Sequence, residues 1–127
     1  MNTLYKNLRS LYNTKYNSPQ SSNKKLVFKY SPLSFKICHI LKREGFIQDF
    51  TPEKNTLNVA LPTFMKIQSL RISKLTRPKY YKFKEIENSK EFYSNLGISV
   101  FSTSQGVFTY SDLLERKLGG VFLFQIL

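Results

Sequence analysis

With 127 residues, 41% of them hydrophobic, the chain has material for one ordinary packed domain or two very small ones, which argues against wholesale disorder. Twenty Lys and Arg stand against eight Asp and Glu, and a net charge of +12 repels itself in a compact fold, so a polyanion is the natural partner, nucleic acid before an anionic membrane. No run approaches the ~20 apolar residues that a spanning helix needs, so the sequence reads as a soluble protein.

Leu4, Leu8, Leu11 and Tyr12 recur at helical spacing with Lys6 and Arg9 off the stripe, and Thr3 can cap the start, so the spacing predicts a first helix. The same basic, acid-free stretch also fits a transit peptide. Ser18 to Asn23 is a polar loop, and Lys25 to Tyr30 alternates as a strand with Leu26 and Phe28 on one side. Ser31-Pro32 supplies an N-cap and a proline at the first position of a second helix. Leu33, Ile37, Ile40 and Leu41 form its buried stripe, with Lys36 outside it. Lys42 and Arg43 fall in its last turn, and Gly45 sits where a left-handed cap belongs. Phe46 to Phe50 begins a strand, Thr51 to Asn55 turns the chain, and Leu57, Val59 and Leu61 alternate as the second arm.

Beyond Pro62-Thr63, Met65 to Ile72 is strand-like, Ser73 to Lys79 is a basic loop containing proline, and Tyr80 to Lys84 alternates again. Glu85 to Leu96 is a short helix ended by Gly97. Ile98 to Thr103 is a strand, Ser104-Gln105-Gly106 a tight turn, and Val107 to Thr109 the return. Asp112 to Lys117 makes one or two helical turns, and Val121 to Ile126 a last strand. The class is α+β in two small mixed domains. Residues 1–66 place helices on a short antiparallel sheet, and residues 67–127 are mainly β with a short helix.

Catalysis needs converging acids, bases, nucleophiles or metal ligands. His39 and Cys38 are the only histidine and cysteine, and neighbours on a helix point about 100° apart, too far to share a metal. They read as a structural Cys and a partly buried His, and a single Cys allows neither an internal disulfide nor a thiolate cluster. Glu85, Glu87 and Glu91 cluster towards one helix start, where the dipole favours negative charge. No phosphate loop, zinc spacing or nucleophile elbow occurs, and no cofactor or metal is implied.

Two stretches fit RNA. Ser102, Thr103 and Ser104, followed by Gln105 and Gly106, put three small hydroxyls at a strand end, able to donate to phosphate and ribose oxygens, although spacing alone favours an ordinary polar turn. Arg71, Lys74, Arg77 and Lys79 crowd around Tyr80 and Tyr81, the mixture of cations and aromatics that RNA surfaces use, although it also fits a solvated basic face.

Several segments in register resemble ribosomal small-subunit protein eight across essentially the whole chain. Ser102 to Val107 followed by Leu118-Gly119-Gly120 is similar to that family's C-terminal signature. Leu96-Gly97-Ile98, Arg71-Ile72-Ser73-Lys74 and Leu41 to Phe50 match further upstream, and Leu4 to Asn13 does so more loosely. The resemblance implies a non-enzymatic, two-domain protein that binds the central domain of small-subunit ribosomal RNA early in assembly, beside small-subunit proteins five and twelve. It implies that Ser102, Thr103 and Ser104 in the C-terminal domain contact the RNA core, that Gly106 permits close approach, that Tyr80 stacks or hydrogen-bonds there, and that Ser31 adds an N-terminal contact. It also implies that the basic first helix is mature protein rather than presequence.

The chain departs from the family in three places. Ser73-Lys74-Leu75-Thr76 lacks the usual proline and glycine, with Pro78 displaced; Val121 replaces a Glu; and Tyr80 to Leu96 is longer than usual. A lean towards Lys, Asn, Ile, Phe and Tyr, with no Trp and Ala60 as the single alanine, suits A+T-rich coding. Together these suggest an organelle-encoded protein, mitochondrial before plastid. The rival readings are a free-standing RNA-binding translational regulator and, from another class, a small nuclease or hydrolase, for which paired carboxylates or an activated base are missing.

Overall fold

The computed structural model describes residues 2–17, 25–62, 67–73, 79–92 and 97–127. The chain divides into two compact units, Met1–Gln68 and Ser69–Leu127, each holding one antiparallel sheet. The architecture is the mixed α+β one expected from the sequence: helices with a small sheet first, then mostly strands.

In the first unit the elements run α1 (Asn2–Asn17), β1 (Lys25–Lys29), α2 (Pro32–Arg43), β2 (Asp49–Glu53) and β3 (Thr56–Ala60). β3 is the middle strand, between β1 and β2. Register sets Phe28 opposite Leu57, and both are buried with Val59 on one face of the sheet. Leu4, Leu8 and Leu11 of α1 and Ile37, Cys38, Ile40 and Leu41 of α2 are buried, as their spacing requires. Ser31 caps α2 as expected, its Oγ accepting from the Ser34 N–H at 3.0 Å.

The strand expected from Phe46 instead starts at Asp49. The Phe46 and Ile47 N–H groups both donate back to Leu41 O, at 2.9 and 3.4 Å, and close the helix end through Gly45 (φ +86°). The hairpin turn is correspondingly shorter than 51–55, being Lys54-Asn55, with Lys54 at φ +38°.

The second unit runs β4 (Leu70–Ile72), β5 (Tyr80–Tyr81), α3 (Phe83–Asn88), β6 (Ile98–Thr103), β7 (Gly106–Thr109), α4 (Tyr110–Arg116) and β8 (Gly120–Ile126). β8 is central, with β6 on one side and both β4 and β5 on the other; β7 extends the sheet beyond β6. Ile86, Phe92, Phe101, Leu113 and Phe122 form a core cluster, with Phe92 edge-on to Phe101 at 5.0 Å between ring centroids.

Several boundaries differ from the sequence reading. Of the strand expected over Met65 to Ile72, only Leu70–Ile72 is strand, and residues 67–69 lie outside it. The strand expected over Tyr80 to Lys84 ends at Tyr81, because the Lys82 N–H is taken by the Glu85 carboxylate at 3.0 Å and a helix starts at Phe83. The helix expected to reach Leu96 ends at Asn88. Beyond it, Ser99 Oγ donates to Phe92 O at 2.8 Å and Gln125 Nε2 donates to Glu91 O at 3.0 Å, so side chains of the sheet hold these carbonyls. The last helix starts two residues early, because Thr109 and Asp112 cap it reciprocally; Thr109 Oγ1 donates to Asp112 Oδ2 at 3.0 Å.

Candidate nucleic-acid interface

The β6–β7 hairpin carries the hydroxyl run. Ser102 pairs with Val107 on β7 and with Val121 on β8, and Val121 pairs in turn with Tyr80 on β5. Directly paired residues project to the same side of an antiparallel sheet. Tyr80, Val121, Ser102 and Val107 therefore form a row across four strands. Their neighbours Tyr81, Phe122, Phe101 and Phe108 point to the opposite, aromatic-cluster face. With strands ~4.8 Å apart, the Cα atoms of Tyr80 and Ser102 lie roughly 10 Å from one another. Val121 sits midway along this row.

The three hydroxyls are not equivalent. Thr103 Oγ1 donates to Gly106 O at 2.8 Å and accepts from the Gln105 N–H at 3.0 Å, so it staples the turn. Ser102 and Ser104 make no side-chain hydrogen bond among the described residues, and Ser104 and Gln105 are exposed at the tip. Gly106 has φ +133°, a backbone angle that side-chain-bearing residues avoid, and it lets the hairpin turn after only Ser104-Gln105. Gly119 fixes Tyr80. A Cβ there would lie 2.7 Å from the Tyr80 Oη and 2.5 Å from Tyr81 O, so only glycine admits the phenol. Tyr80 remains 59% exposed, a ring held at one end and open on its face.

The other candidates lie elsewhere. Arg71 is on β4, and its guanidinium carbon sits 4.8 Å from the Phe122 ring centroid, on the aromatic-cluster face. Lys79 Nζ lies 4.7 Å from the Tyr81 ring centroid, next to that same cluster. These two cations therefore do not join the Tyr80–Ser102 row. Lys74 and Arg77 lie outside the described residues. Ser31 belongs to the first unit, where its Oγ also donates to Ser34 Oγ at 2.9 Å; Ser34 Oγ accepts in turn from Asn7 Nδ2 at 3.0 Å.

The sequence reading passed over Arg116. It stacks 4.6 Å from the Phe108 ring centroid, two residues past Gly106, and brings a cation to the hairpin. A basic residue in the last turn of the helix that follows the signature was the available signal.

Among the described residues, the remaining titratable groups form no reactive constellation. Cys38 is fully buried, and burial pushes its thiol up to about 12, so it is neutral and unreactive at physiological pH. His39, expected to be partly buried, is exposed, because it sits on the outer side of α2; its ring edges meet Phe35 at 4.8 Å and Phe50 at 4.9 Å. Of the three glutamates, Glu85 caps α3, Glu87 is exposed, and Glu91 lies past the helix end, 4.0 Å from Arg71. Among the described residues no three His, Cys, Asp or Glu come together as metal ligands, and no helix is long and apolar enough to cross a membrane.

The family model described as ribosomal protein S8 matches residues 8–127. Among curated relatives, the small ribosomal subunit protein uS8 of Bifidobacterium longum subsp. infantis is 31% identical over 97 residues, which is 72% of this chain and 74% of that protein. Its counterpart in Mycoplasma capricolum subsp. capricolum is 34% identical over 97 residues, covering 73% and 75%.

Proposed function

Because the chain belongs to the ribosomal protein S8 family, structural constituents of the small ribosomal subunit, we propose that it binds the central domain of small-subunit ribosomal RNA and supports that domain's assembly. The observation that carries this reading is the row ending in the β6–β7 hairpin. It offers two unspent serine hydroxyls, an exposed tyrosine ring and a tight glycine turn in a chain of net charge +12. The charge supplies attraction that weakens as salt rises, and the hydroxyls set register on phosphate and ribose oxygens. Tyr80 offers a face on which an unpaired base stacks. Lys79 and Arg116, on the aromatic-cluster face, add to the long-range attraction for the polyanion, and neighbouring small-subunit proteins, five and twelve among them, complete the environment.

The chain's place is the mitochondrial small subunit, encoded in the organelle, with the plastid as the alternative. Its Lys-, Asn- and Ile-rich composition and its departures at Ser73–Thr76 and Val121 support that. Sedimentation of organelle extract tests it: the chain travels with the small subunit, and its absence from every organellar ribosome fraction contradicts the location.

The RNA role has a separate test. Replacing Ser102 and Ser104 together by Ala is expected to weaken binding to a small-subunit rRNA transcript by about 1–3 kcal/mol, the range for hydrogen bonds to charged groups, with the melting temperature unchanged. Undiminished affinity in a filter assay removes the turn from the interface.

A further inference from the structure

On the aromatic-cluster side of the second unit, away from the hydroxyl row, lies an open groove of about 360 Å³ lined by Arg71, Ser73, Lys79, Tyr81, Glu91 and Phe122. We propose that this groove receives a single unpaired nucleobase carrying an exocyclic amine, turned out of the bound RNA, with the Arg71 guanidinium as its stacking plane. This rests on the RNA-binding reading above and adds a second point of contact on the opposite face of the sheet.

The groove is built for a flat group. Phe122 lies 4.8 Å and Phe92 5.7 Å from the Arg71 guanidinium carbon, and Glu91 reaches Arg71 at 4.0 Å, so the guanidinium is braced on rings and steered by a carboxylate. The Arg71 side chain is still 45% exposed, which leaves surface for a second layer. Guanidinium planes and aromatic rings are the surfaces on which extruded RNA bases stack. The volume falls near the lower end of the ~300–1,000 Å³ range of small-molecule sites, in keeping with one base rather than a folded strand.

The groove also carries an unspent hydrogen bond. The Ser73 N–H donates to Leu123 O at 2.9 Å and ties the backbone to β8, yet the buried Ser73 Oγ has no partner. Buried hydroxyls are rarely left so. Ser73 lines the groove, so its hydroxyl is the unspent polar group nearest to a base edge seated there. Glu91 separates base from phosphate, since a carboxylate repels a phosphate but accepts from the amine of adenine, cytosine or guanine. Uracil has no such amine.

The test uses the full chain with a small-subunit rRNA transcript, measured by filter binding over a salt series and by dimethyl sulfate probing. Arg71→Lys keeps the charge and loses the plane. It is expected to weaken binding about 5- to 100-fold, as much as Arg71→Gln, without lowering the salt slope, and to expose an unpaired adenine or cytosine that the wild type protects. Ser73→Ala deletes only the unpaired hydroxyl and keeps the backbone pairing, so it tests the groove in a securely folded protein. The same nucleotide is expected to gain reactivity, with a several-fold loss of affinity. Wild-type affinity in Arg71→Lys, or wild-type protection in Ser73→Ala, overturns the inference and leaves a phosphate contact in its place. Failure of the wild-type chain to bind the transcript is a different result, one that removes the RNA-binding reading itself.

Discussion

Serine hydroxyls open α2 in the first unit and close β6 in the second, and the two units spend them differently. In the first, Ser31 caps the helix, donates to Ser34, and through Ser34 joins Asn7, whose amide also bonds the Lys29 backbone at both N–H and C=O, each at 3.1 Å. In the second, Thr103 alone closes the turn, while Ser102 and Ser104 keep their hydroxyls. A hydroxyl-rich motif suggests a ligand only after its internal hydrogen bonds are counted. By that count the hairpin of the second unit retains capacity for RNA, whereas Ser31 and Ser34 are spent on holding α1, β1 and α2 together.

The largest expected effect that tests this contrast is on stability. Asn7 is 6% exposed, and Asn7→Ala strands the Lys29 backbone groups, so it is expected to cost about 2–3 kcal/mol in chemical denaturation. Loss of RNA affinity without loss of stability would reverse the roles given to the two units. Ser31→Ala removes a cap and is expected to cost about 1 kcal/mol of stability while leaving affinity close to wild type. A fall in affinity as large as that of the Ser102 and Ser104 pair, with stability intact, would show that Ser31 is also a direct contact. The smallest effect concerns Cys38. With its thiol pushed up to about 12 by burial, it is expected to stay unmodified by a thiol reagent at pH 8 and to react once denaturant unfolds the chain. Rapid labelling of native protein would show that the first unit opens readily.

The features legible from sequence were those decided within a few residues. Ser31-Pro32 and Gly45 bound α2, and Ser104 to Gly106 turned β6 into β7, because caps and tight turns depend on local backbone angles. The early end of α3 was not legible, because Ser99 and Gln125, distant in sequence, hold the Glu91 and Phe92 carbonyls. Asn7 was overlooked for the same reason, since its partners are 22 and 27 residues away. The candidate site was legible as residue types but not as faces. Alternation along β4 and β5 was too short to show that Arg71 and Lys79 point away from Tyr80 and Ser102. Nor could spacing reveal that the Thr103 hydroxyl is consumed at home. The family resemblance, carried by several short motifs in register, was legible throughout, and the match over residues 8–127 agrees with it.

The most direct test of the account is a density map of the small ribosomal subunit that contains this chain. The Ser102 and Ser104 hydroxyls are expected within hydrogen-bonding distance of ribosomal RNA, with the Tyr80 ring on the same RNA surface. A map in which the β6–β7 turn faces solvent or another protein, with RNA only on other surfaces of the chain, contradicts it.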